Sequence, residues 1–235
     1  MLPVKKITTY LRHFAQLLYP KICLGCGNHL SDSETVLCII CENELPKTRF
    51  HEQPENVVYK RMYGRMPVEN ATALFYFDKG NRVQHLLHQL KYSGKTEVGE
   101  HLGMMLGNDI KAVASYQPIS AIVPIPLHEK KVRQRGFNQS EYFANGIAKA
   151  LNISVLTNVV KRIEYTDTQT GKNRFERWDN VKEAFQLENA DSIKGRHILL
   201  VDDVITTGAT LEACGQLLMD IEDVKLSIAT IALAH

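Results

Sequence analysis

The chain has 235 residues, a net charge of +2 and 44% hydrophobic residues. That length suits one α/β domain with a small appendage, and the near-neutral charge excludes a global basic signature for nucleic acid. No apolar run reaches the length needed to span a bilayer.

The N-terminal stretch carries Lys5 and Lys6 but no continuous apolar core and no small-residue cleavage site. It is not a secretory signal, and a cytoplasmic protein is expected. Residues 5–18 place Ile7, Leu11, Phe14, Leu17 and Leu18 near one face of an amphipathic helix that Pro20 ends. Such a helix packs on its own protein more often than on a membrane surface.

Four of the five cysteines follow as Cys23-Leu-Gly-Cys26 and Cys38-Ile-Ile-Cys41. Each CxxC turn brings two thiolates to one ion, and four thiolates close a tetrahedral structural site, so Zn²⁺ is the expected cofactor. Gly25 and Gly27 ease the first turn. Two buried thiol pairs or an iron–sulfur cluster would need other context. A module this small has too little core to fold without its ion. The fifth cysteine, Cys214, reads as a small core residue.

Residues 43–69, with Pro46, Pro54 and Pro67, read as an irregular linker into a strand over Ala71–Phe77. Asn81–Tyr92 reads as a helix, with Val83, Leu86, Leu87 and Leu90 on one face. His85 and His88 lie on it without any other sign of a metal. Ser93-Gly94-Lys95-Thr96 imitates the end of an ATP-binding P-loop. It fails because Gln89 stands where the motif needs glycine and a helix precedes it, although Lys91 and Lys95 could touch an anion. A second helix is expected over Glu97–Ser115, then a buried strand over Ile119–Ile125. Pro124 and Pro126 stiffen its exit.

Lys130, Lys131, Arg133 and Arg135 follow, opening a helix over 138–151. Arginine binds phosphate in two-pronged fashion and lysine as a point charge, so the run suits a polyanion. After Val155–Val160 comes a polar tract, 161–177, long enough to be a lid. Its candidate contacts are Gln169, Lys172 and Arg174. Order returns between Trp178 and Phe185.

The chemistry concentrates at Ile198–Thr210. Ile198–Val201 reads as a strand buried on both faces, with Asp202 and Asp203 at its C-terminal end. Thr206, Thr207, Gly208, Ala209 and Thr210 then form a turn before a helix. Carboxylates at a strand end accept hydrogen bonds from sugar hydroxyls or from waters on a divalent metal, and a helix start suits phosphate. The last strand, Lys225–Leu233, should lie beside Ile198–Val201.

This stretch closely resembles the PRPP-binding signature of type I phosphoribosyltransferases. The resemblance implies that the acidic pair holds the ribose hydroxyls and the loop holds the 5′-phosphate. Lys131, Arg133 and Arg135 would then face pyrophosphate, with Mg²⁺ bound alongside PRPP. Taken together, the four-cysteine module, Pro124–His128 through Arg133–Gln139, Thr168-Gln169 to Asn180–Phe185 and Val201–Thr210 resemble the ComF family, close to its ComFC type. One departure is Thr170-Gly-Lys-Asn-Arg174-Phe, where family members often carry a leucine-arginine type sequence.

The fold implied is α/β: a type I phosphoribosyltransferase-like parallel sheet flanked by helices, with a small N-terminal zinc-binding module. The expected organisation is residues 1–50 for the helix and cysteine module, 51–117 for a linker and hood, and 118–235 for the phosphoribosyltransferase-like domain. The resemblance implies a role in DNA uptake and natural competence, with single-stranded DNA and a DNA-uptake helicase as partners. Phosphoribosyl transfer is the candidate reaction. Glutamine-dependent amidophosphoribosyl transfer is not expected, because there is no N-terminal cysteine nucleophile and no room for a glutaminase domain. The alternative is a non-catalytic module for single-stranded DNA or a nucleotide, with Phe137, Phe175 and Trp178 stacking on bases.

Overall fold

The computed structural model describes residues 20–163 and 184–234. The helix expected over 5–18, and the lid contacts Gln169, Lys172 and Arg174, lie outside these residues, as do Phe175 and Trp178. The chain divides into two compact units, Met1–Leu45 and Pro46–His235.

The first unit is organised by its cysteines. Among its described residues Cys23, Val36, Leu37, Cys38, Cys41 and Leu45 are buried. An antiparallel bridge joins Ile22 to His29, and Leu24 N–H donates to Val36 O at 2.9 Å. Helix α1 (Ile39–Glu44) starts at Cys38, whose sulfur accepts from Cys41 N–H. A Cβ on Gly25 would stand 3.1 Å from Cys41 Sγ, so the first knuckle closes tightly over the second.

In the second unit five parallel strands form one sheet: β1 (Asn70–Phe77), β2 (Ala121–Pro124), β3 (Ser154–Val155), β6 (His197–Ile205) and β7 (Lys225–Ala234), in the order β1-β7-β6-β2-β3. Ile198, Leu199, Leu200 and Val201 are all fully buried, as a central strand covered on both faces requires. Strand β7 pairs with β6 on one side and β1 on the other. Strands β4 (Val160–Arg162) and β5 (Phe185–Leu187) form a separate antiparallel ribbon at the two ends of residues 164–183.

Helix α3 (Arg82–Tyr92) buries Val83, Leu86, Leu87 and Leu90, and Asn81 caps it by accepting from Gln84 N–H. Helix α4 (Thr96–Lys111) packs closely on α6 (Gln139–Leu151). Glycines make that approach. A Cβ on Gly103 would lie 3.0 Å from Gly146 Cα, and one on Gly107 would lie 2.6 Å from Ala150 Cβ. Ser93–Thr96 is the turn between α3 and α4, with no strand before it.

Two expectations need correction. Residues 43–69 are not an irregular linker. They hold a 3₁₀ turn (Phe50–Glu52) and helix α2 (Val57–Met62), with Asn56 accepting from the N–H groups of Val58 and Tyr59. Phe50, Val58, Met62 and Met66 enter one apolar cluster with Val123, Ile198, Leu200, Leu211 and Leu218. Helix α2 is under two turns long, too short to show a period in sequence. Secondly, the cations at 130–135 do not open the next helix. They form one of their own, α5 (Glu129–Arg135), which His128 caps and Gly136, at φ +86°, stops. No helix among the described residues is long and apolar enough to cross a membrane.

Candidate functional site

The strand order locates the cleft. From β2 the chain passes through α6 to β3, outward in one direction. From β6 it passes through α7 (Ala209–Met219) to β7, outward in the other. The carboxyl ends of β2 and β6 therefore meet at a topological switch point, where open α/β sheets bind ligands. Asp202 and Asp203 stand at this end of β6. The Pro124–His128 exit stands at the matching end of β2, with Pro124 paired to Val201.

Helix α6 holds the acidic pair. Asn138 caps the helix through Ser140 N–H and donates its side-chain amide to Ile125 O at 2.9 Å, tying the helix start to the exit of β2. The first two helical residues then reach β6. Gln139 Nε2 donates to Asp203 Oδ2 at 2.7 Å, and Ser140 Oγ donates to Asp202 Oδ1 at 3.0 Å. Lys91, from the last turn of α3, makes an ion pair with Asp203 Oδ2 at 2.8 Å. Arg135 donates to Gln139 Oε1 and lies 5.6 Å from the centre of the exposed Tyr92 ring.

Asp203 is buried with a full cation beside it. Asp202 is half-buried, and burial, followed by the Asp203 charge, raises its carboxyl far above the usual range. A site that holds one carboxylate against its preference for protonation is ready to receive donors or a cation.

The loop after β6 exposes Thr206 and Thr207 and buries Gly208. Gly208 adopts φ +82°, a left-handed angle that a glycine takes without strain, and caps α7. Arg61 donates to Thr206 O and, at 3.0 Å, to Ala234 O; Arg65 donates to Thr207 O at 2.6 Å. On α5, Lys131 and Arg135 are half-buried. Arg133 is exposed beside Glu129 at 3.5 Å. Glu129 also pairs with Lys161 of β4 at 3.0 Å, which draws its carboxyl below the ordinary range. Of the cations expected to face an anion, Arg135 is thus joined to the acidic pair through Gln139, and Arg133 is not.

Lys91, Gln139 and Ser140 were not singled out by sequence as partners of the aspartates, nor Arg61 and Arg65 as partners of the loop. Two polar residues immediately after a helix-capping asparagine were the one legible signal for Gln139 and Ser140. His85 and His88 are exposed on α3, and Cys214 is buried in α7.

The other candidate centre is the cysteine cluster. The four sulfurs lie within 4.8 Å of one another. A tetrahedral zinc with bonds of ~2.3 Å has sulfur–sulfur edges of ~3.8 Å, and Cys26 Sγ and Cys38 Sγ stand 3.8 Å apart. Cys23 Sγ accepts from Cys38 N–H at 3.3 Å and Gly25 N–H at 3.4 Å. Burial pushes the Cys23 thiol up, but these backbone donors and Cys26 N–H outweigh it and bring it down to about 7. Burial and the neighbouring sulfurs push Cys41 far up. Four sulfurs gathered this closely, with N–H groups aimed at Cys23 and Cys38, fit a divalent cation.

Residues 138–235 match the family model "Phosphoribosyl transferase domain". The chain is similar to Competence protein F of Haemophilus influenzae, at 27% identity over 87% of this chain and 94% of that one. It is 34% identical to DNA utilization protein YhgH of Escherichia coli over 57% of this chain and 60% of that one. It is 30% identical to Competence protein ComFC of Streptococcus pneumoniae over 65% of this chain and 64% of that one. The chain thus spans under two thirds of YhgH and of ComFC.

Proposed function

We propose that this chain, a homologue of Competence protein F, YhgH and ComFC with a phosphoribosyl transferase domain in its C-terminal half, binds PRPP or a related phosphoribosyl compound at the carboxyl ends of β2 and β6. The observation that carries this is the pair Asp202 and Asp203, held by Ser140 and by Gln139 and Lys91, next to a glycine-turned loop at the start of α7.

In this reading Asp202 and Asp203 accept hydrogen bonds from the two ribose hydroxyls. The backbone of Thr206–Thr210 and the N-terminus of α7 receive the 5′-phosphate. Arg135 and Lys131 face the pyrophosphate, with Arg133 at the outer rim. Pyrophosphate leaves most easily when its growing charge meets fixed cations, so these residues act electrostatically. Mg²⁺ bound with PRPP would supply further charge neutralisation at the departing oxygens. The acidic pair and its hydroxyl-bearing ligand suit such an ion. Gln169, Lys172 and Arg174 would close over the sugar and exclude water. Phosphoribosyl transfer is the reaction this arrangement supports best. The four cysteines would hold a structural Zn²⁺.

The setting we propose is DNA uptake on the cytoplasmic side, as the names of the relatives suggest, with a DNA-uptake helicase as a partner. A second reading, a module that grips single-stranded DNA without catalysis, draws on α5, none of whose residues is buried and four of which are cationic. The two readings separate experimentally. Calorimetric titration with PRPP and Mg²⁺ should give saturable binding that Asp202→Ala/Asp203→Ala abolishes; a wild-type protein that binds no PRPP overturns the first reading. Fluorescence anisotropy with labelled single strands should show binding that weakens steeply with salt. No binding at low salt removes the second.

A further inference from the structure

Two arginines meet the loop after β6 from a part of the chain that precedes the whole sheet. Arg61 lies in the last turn of α2 and Arg65 follows the helix. Arg61 Nη1 donates to Thr206 O and Arg65 Nη1 to Thr207 O. These are consecutive carbonyls of the loop. A trans peptide points its C=O and the next N–H in opposite directions. Fixing the carbonyls of 206 and 207 on one side therefore fixes the N–H groups of Thr207 and Gly208 on the other. Successive N–H groups turned one way make an anion-binding concavity.

The arginines are themselves held. The Nη2 of Arg65 lies 3.1 Å from the carboxylate of Glu212, a buried residue in the first turn of α7. A single guanidinium thus bridges the loop carbonyl and the helix the loop leads into, a two-pronged contact that lysine cannot reproduce. Arg61 makes a parallel bridge from Thr206 O to Ala234 O, joining the end of β6 to the end of β7. Between them Met62 lies directly under Gly208, where an added Cβ would collide with its methyl group. Met66 lies under Gly215 in the same way.

We infer that Arg61 and Arg65 are positioning residues that orient the 206–208 backbone for a phosphate. The inference deepens the phosphate reading of this loop and rests on it. It also gives the 50–66 segment a role in a site whose matched domain begins only at residue 138.

The test uses the full chain, with ribose 5-phosphate and inorganic pyrophosphate as separate calorimetric probes, and amide hydrogen exchange without ligand. Arg61→Gln/Arg65→Gln should lose at least tenfold in affinity for ribose 5-phosphate and keep its pyrophosphate affinity within about twofold. Exchange at Thr207 and Gly208 should quicken by tenfold or more. Arg65→Lys, a milder change should the double variant fail to fold, should show an intermediate loss for ribose 5-phosphate alone. Unchanged exchange together with unchanged ribose 5-phosphate affinity would overturn the clamp. Equal losses for both probes would also overturn it, as general damage. A wild type that ignores ribose 5-phosphate defeats the phosphate reading instead, and the exchange rates then decide the clamp by themselves.

Discussion

Asp202 is a carboxyl whose energetics depart far from its chemistry in water. Its proton is held more tightly folded than unfolded, because burial first and Asp203 second disfavour the charged form. A raised carboxyl pKa means that the folded state binds more protons. Its contribution to stability is therefore fully present below the unfolded value of ~3.9 and is lost as pH rises toward neutrality. Urea midpoints measured between pH 4 and 8 should show this loss in the wild type, and Asp202→Asn should flatten that part of the profile. An identical slope in both proteins would show that Asp202 carries no such cost. The same residue was visible in sequence as one of an acidic pair at a strand end. Its partners were not. Lys91 lies more than a hundred residues earlier, and nothing in its neighbourhood encodes a contact with Asp203. Arg61 and Arg65 are hidden in the same way, since their partners are backbone carbonyls that any residue would supply.

At the scale of elements, strands were legible where burial is two-sided, because an apolar run such as Ile198–Val201 has few other uses. Helices α3 and α4 were legible from their apolar stripes, and α6 was expected over 138–151. The six-residue α2 and the seven-residue α5 were not. Helix α2 has Val58 and Met62 as its buried face, a single i, i+4 step between prolines, and α5 has no buried residue to mark a face. The glycines of α4 also passed unnoticed, although Gly99, Gly103 and Gly107 recur every four residues. Their spacing acquires meaning only when α6 is seen to present Gly146 to them. That contact sets the height of α6, and α6 carries Gln139 and Ser140 to the aspartates. Gly103→Ala should collide with backbone atoms of α6 and cost about 1–3 kcal/mol, the range for overpacking. It should also weaken PRPP binding more than its stability loss explains. Chemical denaturation beside calorimetry checks both, and a neutral Gly103→Ala would show that α6 slides freely.

For the molecule as a whole, the division at Leu45 and Pro46 predicts separable responses to metal loss. Among its described residues the first unit has six that are buried, three of them cysteines. A core of that size is expected to need an ion to offset the conformational entropy of its chain. The second unit has a sheet and helices on both faces. Treatment with a strong chelator should release zinc and open residues 20–45 to protease, while far-ultraviolet circular dichroism keeps most of its helical signal. Cys26→Ser should reproduce the cleavage without chelator. Protease resistance in a metal-free protein would remove zinc from the account.

Strand β7 lies inside the sheet, between β1 and β6, yet it follows the other four strands of that sheet in sequence. Strand β1 emerges early and meets Ser227 through Ala234 only once β7 has been made. At ~5–20 residues per second the intervening chain takes on the order of ten seconds or more to appear. During that interval Ala71, Ala73, Leu74 and Phe75 have no strand beside them. The loop after β6 waits as well, because Arg61 completes its grip only when Ala234 has arrived. Closure of the sheet is therefore tied to the synthesis of β7, and the nascent protein presents an apolar strand to holding chaperones until β7 has emerged.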